Sequence, residues 1–147
     1  MNIAVFLSGA GSNFESIASA IERNELRAVI TLVASNKSDA VGLAKAQRMG
    51  IRTAVFNRKE FTNGKLFADF IQTRLKECSV DLIVLAGYLR KIPPKVIRAY
   101  YNRIVNIHPA LLPEFGGKGM YGMNVHHAVI ESKVNQTGVT VHYVDEK

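Results

Sequence analysis

Short runs of β-branched and aliphatic residues alternate along the chain with longer stretches in which apolar residues recur every three or four positions. Gly, Asn, Ser or Pro marks the joins. The alternation predicts strands over residues 2–7, 28–34, 53–56, 81–86, 104–106 and 138–144, and helices over 13–23, 40–49, 60–77, 94–100 and 125–132. The runs Ile3-Ala4-Val5-Phe6-Leu7 and Leu82-Ile83-Val84-Leu85-Ala86 are apolar throughout, as suits central parallel strands covered on both faces by helices. Functional groups are then expected at the carboxyl ends of those strands. The last strand alternates instead, with Val139, Val141 and Tyr143 on one side and Thr140, His142 and Val144 on the other. That is the pattern of a peripheral, antiparallel strand. The pattern as a whole describes an α/β fold of three layers, a doubly wound and mostly parallel sheet with an antiparallel strand near the C-terminus.

Length and composition narrow this picture. A chain of 147 residues with 48% hydrophobic content suits one domain with a real core, spanning residues 1–147 without an internal linker. No apolar run approaches the roughly 18 residues of a membrane span, so no membrane partner is expected. The amino terminus enters a strand without the basic start and cleavage site of a secretory signal, which predicts a cytoplasmic protein. The single cysteine, Cys78, precludes an intramolecular disulfide and is expected to be a buried small hydrophobe. A net charge of +7 is spread from Arg23 to Lys147 without a dense basic block, which points to an anionic small molecule rather than nucleic acid. Four histidines in no metal-ligand spacing predict no metal.

Two segments carry candidate chemistry. Ser8-Gly9-Ala10-Gly11-Ser12-Asn13 follows the first strand and opens the first helix, with Glu15 in its first turn. Glycines there allow close backbone approach, and the free amides of a helix start attract an anion. Phe14 stands where the dinucleotide pattern needs a third glycine, and Ser35-Asn36-Lys37 replaces its acidic residue. A lone phosphate is therefore preferred to NAD. The second segment is Val105-Asn106-Ile107-His108-Pro109-Ala110-Leu111-Leu112-Pro113. Proline holds the residue before it extended, and side chains two apart on an extended chain share a face, so Asn106 and His108 project together. A carboxamide donor and an imidazole suit acyl transfer, the one holding a developing oxyanion and the other moving protons. The glycine-rich segment 116–122 that follows has the composition of a binding loop or lid.

Four motifs now stand in order: the Ser-Gly-x-Gly-Ser-Asn loop at residues 8–13, Leu85-Ala86-Gly87-Tyr88-Leu89-Arg90, Asn106-Ile107-His108-Pro109-x-Leu111-Leu112-Pro113, and Gly138-x-Thr140-Val141-His142-Tyr143-Val144. Together they resemble the phosphoribosylglycinamide formyltransferase family across essentially the whole chain. The resemblance implies transfer of a formyl group from 10-formyltetrahydrofolate, as cosubstrate, to the amine of a phosphoribosylglycinamide in purine synthesis. It implies that Gly11, Ser12 and Asn13 hold the phosphate, that Tyr88, Leu89, Arg90, Ile92 and Val144 line a pterin pocket, and that Asn106 and His108 are catalytic. No covalent enzyme intermediate is expected, because no activated nucleophile is in evidence. The segment 115–125 is longer and richer in glycine than the family pattern, and His126 receives no role. The resemblance also implies an aspartate, a last strand and a long helix past residue 147, so the chain is expected to be part of a longer one. Methionyl-tRNA formyltransferase and formyltetrahydrofolate deformylase share the Asn-x-His core, but the loop at 9–13 speaks against the first and a strand beginning at residue 2 against the second. A non-catalytic folate- or phosphate-binding protein is the reading from a different class.

Overall fold

The computed structural model describes residues 1–146. Among them, strands β1 (Asn2–Leu7), β2 (Val29–Ser35), β3 (Thr53–Val55), β4 (Leu82–Leu85), β5 (Ile104–His108) and β6 (Thr140–Tyr143) form one sheet in the order β3-β2-β1-β4-β5-β6. Every neighbouring pair is parallel except β5 and β6, which run antiparallel with Val105 opposite Tyr143 and His108 opposite Thr140. Helices α1 (Ser12–Glu22), α2 (Val41–Arg48), α3 (Gly64–Glu77), α4 (Pro94–Ala99) and α5 (Met123–Glu131) connect or follow the strands.

The unbroken apolar runs explain the layering. Alternate residues of β1 feed two cores, Ala4 and Phe6 packing with Phe56, Phe67, Ile71 and Ile83, and Ile3, Val5 and Leu7 packing with Phe14, Val33 and Leu43. Burying each large side chain contributes roughly 1.5–3 kcal/mol, so both faces of the central strands hold helices in place. Phe6 meets Phe56 and Tyr88 edge to face, with ring centroids 5.2 and 5.4 Å apart. The chain runs outward from β1 to β2 and β3, then returns to place β4 on the other side of β1. The strand order therefore reverses between β1 and β4, and ligand crevices in such sheets open at the carboxyl ends beside that reversal.

Three local expectations are corrected. Helical periodicity runs from residue 60, yet α3 begins only at Gly64, because the Asn63 side chain accepts from Leu66 N (2.9 Å) and caps the helix there. Residues Arg58–Glu60 instead form a separate 3-10 turn capped by Asn57. β5 runs on to His108 rather than stopping at Asn106, since pairing with β6 continues to Thr140. Cys78 is only partly buried, capping the end of α3 while packing against the core. No helix among the described residues is long and apolar enough to cross a membrane.

Candidate active site

β1 ends at Leu7, and the chain turns through Ser8–Gly11 into α1. Gly11 has φ +77°, and a Cβ there would lie 2.9 Å from Gly42 Cα; a Cβ on Gly42 would lie 2.6 Å from Leu7 Cδ2. Gly42 N also donates to Gly9 O (3.0 Å), so backbone packs on backbone and fixes the loop against α2. The helix has no side-chain cap. Its first bond runs from Glu15 N to Gly11 O (3.0 Å), which leaves the amides of Ser12, Asn13 and Phe14 without an intrahelical acceptor. With the positive end of the helix dipole behind them, these amides suit an anion. Ser12 and Asn13 are exposed, whereas Phe14 anchors the helix in the core.

A cleft of about 1400 Å³ opens at the carboxyl end of β4 and β5. Tyr88, Arg90, Ile92 and Val144 line it, together with Asn36, Asn106 and His142. Leu89 does not. Its side chain is 42% exposed beside Gly122, and its amide binds the Ser8 hydroxyl (2.9 Å). Nor do Gly11, Ser12 and Asn13 line the cleft; they form a separate station on the same edge of the sheet. Arg58, Lys59, Lys65 and Lys91 stand around the cleft as cations. Burial pushes the Tyr88 hydroxyl up to about 12, with the nearby Arg90 charge opposing the rise. Tyr88 therefore stays neutral, able to donate a hydrogen bond.

Asn106 and His108 lie on the same side of β5, as alternation requires, but each has its own partner. Asn106 Nδ2 is 3.0 Å from His142 Nε2, while His142 Nδ1 is 3.0 Å from Tyr143 O. A carbonyl can only accept, so Nδ1 carries the proton, Nε2 accepts, and Asn106 donates. Asn106 keeps one N–H and its oxygen for a ligand. His108 is 8% exposed and Nε2 lies 2.8 Å from Phe115 O. By the same reasoning Nε2 donates there, and Nδ1 holds the free lone pair. Phe115 has φ +54°, a backbone state uncommon for a side-chain-bearing residue, and it lies just ahead of the glycine-rich segment. That segment is folded on itself through Met120 N to Gly117 O (3.2 Å) and Asn124 Nδ2 to Gly119 O (3.0 Å).

Four positions at this site were assigned no role from the sequence: His142, Ser8, Asn36 and Gly42. His142 had a visible signal, since it shares the side of β6 that carries Thr140 and Val144. The others matter through neighbours distant in sequence. His126 and His127 are exposed on α5, and among the described residues no group of three His, Cys, Asp or Glu could hold a metal ion.

The reversing strand order and the polar groups gathered at its carboxyl edge define a Rossmann-like α/β protein. Within that class, the chain belongs to the formyl transferase family, whose pattern it matches over residues 1–147. It is 46% identical over 145 residues to a protein of Vigna unguiculata named phosphoribosylglycinamide formyltransferase, chloroplastic, covering 98% of this chain and 46% of that protein. It is 42% identical over 145 residues to the phosphoribosylglycinamide formyltransferase of Haemophilus influenzae, covering 99% and 66%. The crystal structure of glycinamide ribonucleotide transformylase 1 from Geobacillus kaustophilus superposes with a TM-score of 0.91 at 40% identity, covering 99% of this chain and 75% of that one. The chain spans about half the length of the plant relatives it matches.

Proposed function

We propose that the protein transfers a formyl group from 10-formyltetrahydrofolate to the amine of 5′-phosphoribosylglycinamide, by direct attack and without a covalent enzyme intermediate. The observation that carries this reading is Asn106, a donor with one N–H left over, on the wall of a large cleft, with the open amides of α1 at a separate station on the same edge of the sheet. The ends of β1 and β5 are two strand spacings apart, about 10 Å. That distance suits a substrate whose phosphate sits on Gly11, Ser12 and Asn13 while its amine reaches Asn106. The names of the relatives, at 42–46% identity over nearly the whole chain, support the same assignment.

The residues present fit the folate cosubstrate. Leu85, Ile92, Ile97 and Val144 give the cleft apolar walls for a fused heterocycle, and Tyr88 and Arg90 add polar groups. Leu89 would contribute only through its backbone carbonyl, since its amide is held by Ser8 and its side chain points elsewhere. The cations around the cleft suit a ligand that carries carboxylates. The cosubstrate supplies an activated formyl carbon. As the amine nitrogen bonds to that carbon, the spare Asn106 N–H donates to the oxygen on which charge gathers. His108, through Nδ1, takes up and passes on the proton the amine loses, which ends on the folate nitrogen released when its bond to carbon breaks.

Formyl transfer between the two compounds, measured spectrophotometrically, tests the proposal. Asn106→Ala is expected to lower kcat by about 10²–10³, and His108→Ala by about 10²–10⁴, with both proteins folded by circular dichroism. Tight binding of both ligands with no transfer by the wild-type protein would replace the enzyme with a binding protein.

A further inference from the structure

Ser8, the first residue past β1, is buried and holds two neighbouring loops at once. Its amide donates to Gly87 O (3.1 Å), its Oγ accepts from Leu89 N (2.9 Å), and its hydroxyl hydrogen goes to Asn36 Oδ1. An amide N–H can only donate and an amide oxygen can only accept, so each partner sets one role of the hydroxyl. Gly87, with φ +77°, and Leu89 flank Tyr88. Both ends of that wall residue are thereby tied to Ser8, and Arg90 follows directly. On the other side, Asn36 is held by its oxygen, which leaves its two N–H donors for the cleft it lines. The glycine loop has a separate anchor in the Gly42 amide and the close contact of Gly11 with Gly42.

We infer that Ser8 is a positioning residue for the cleft. It does not line the cleft itself. Its hydroxyl sets the Tyr88–Arg90 wall and turns the Asn36 amide so that donors face the ligand, joining the loops after β1, β2 and β4 into one rigid base. Removing the hydroxyl leaves a part-buried N–H and a part-buried amide oxygen without their partner, and as they seek others the wall moves. The anion loop keeps its own anchor. The effect is therefore selective for the cleft ligand. That part of the inference rests on the two-ligand reading above, whereas the effect on the backbone of residues 87–92 does not.

The test compares wild type with Ser8→Ala and Ser8→Cys, the latter close in size but a weaker acceptor in case the alanine variant does not fold. Calorimetry gives Kd for tetrahydrofolate and for glycinamide ribonucleotide, and amide hydrogen exchange follows residues 87–92. Ser8→Ala is expected to weaken tetrahydrofolate about tenfold, on the order of the loss of one hydrogen bond. Exchange should quicken at residues 87–92 while glycinamide ribonucleotide binds as before, and in turnover the folate KM should rise with kcat nearly kept. Ser8→Cys should shift the same readouts by less. Unchanged exchange at 87–92, or equal weakening of both ligands, overturns the inference. If the wild-type protein binds no tetrahydrofolate, the functional reading falls; faster exchange at 87–92 in the variants would still support the positioning role, and unchanged exchange would still sink it.

Discussion

Asn106 can serve a developing oxyanion only through a nitrogen-bound hydrogen, and His142 decides which hydrogen is left. With Nε2 of His142 accepting one N–H, the carboxamide is held in a single orientation. His142→Ala should lower kcat by about 10²-fold, more than it weakens binding of either ligand, if Asn106 acts on the reacting oxygen and loses its alignment. Steady-state kinetics beside calorimetry would show it, and an unchanged kcat would remove the orienting role. Tyr88 offers a second test. Its folded-state value lies at about 12, raised by burial, so the folded protein holds that proton more tightly than the unfolded chain. Stability is unaffected by Tyr88 below about pH 10, then falls between about pH 10 and 12 as the unfolded chain ionises first. Burial also raises Tyr100, whose contribution has the same sign. Urea titrations across this window should give a shallower alkaline decline for Tyr88→Phe than for wild type. At this scale the sequence showed Asn106, His108 and Tyr88 as candidates. It could not show that Asn106 leans on a histidine 36 residues away, or that His108 gives Nε2 to the Phe115 carbonyl, because those contacts depend on how β5, β6 and the following turn meet.

The elements owe their edges to local chemistry and their close approaches to tertiary packing. Asn63 ends the ambiguity of a long periodic stretch by capping α3, and Asn63→Ala should lower unfolding free energy by about 1 kcal/mol in urea. Gly42 lies in α2 with no backbone reason of its own to be glycine. Leu7 explains it. A methyl at Gly42 would sit 2.6 Å from Leu7 Cδ2, so Gly42→Ala should cost about 1–3 kcal/mol and loosen the glycine loop. A denaturation curve within error of wild type would contradict the packing account. β6 shows the limit of alternation as a guide. Period two reveals two sides to a strand, but not which one turns inward. Here Val141 and Tyr143 face out at 64% exposed, while the polar Thr140 and His142 are the more buried pair. Thr140 Oγ1 donates to Ala110 O (2.7 Å) and accepts from Leu112 N (3.0 Å), so the inward polar side is satisfied by the segment leaving β5.

For the molecule as a whole, charge and topology act together. A chain of net charge +7 that gathers Arg58, Lys59, Lys65 and Lys91 around one cleft should bind anionic ligands less well as salt rises. Between 50 mM and 500 mM salt, about a threefold shortening of the screening length, KM for both substrates should increase with little change in kcat. A flat KM would mean that these cations are bystanders. The sequence by itself determined the alternation of strands and helices, the central place of two unbroken apolar strands, the glycine loop and the spacing of Asn106 and His108, because each is written in the periodicity or turn chemistry of neighbouring residues. Only the tertiary structure decided that the strand order reverses between β1 and β4, which gathers the loops after β1, β2, β4 and β5 along one edge. It also decided that Ser8 ties three of those loops together and that His142 holds Asn106, since hydrogen bonds across 28, 81 and 36 residues have no local signature in the chain.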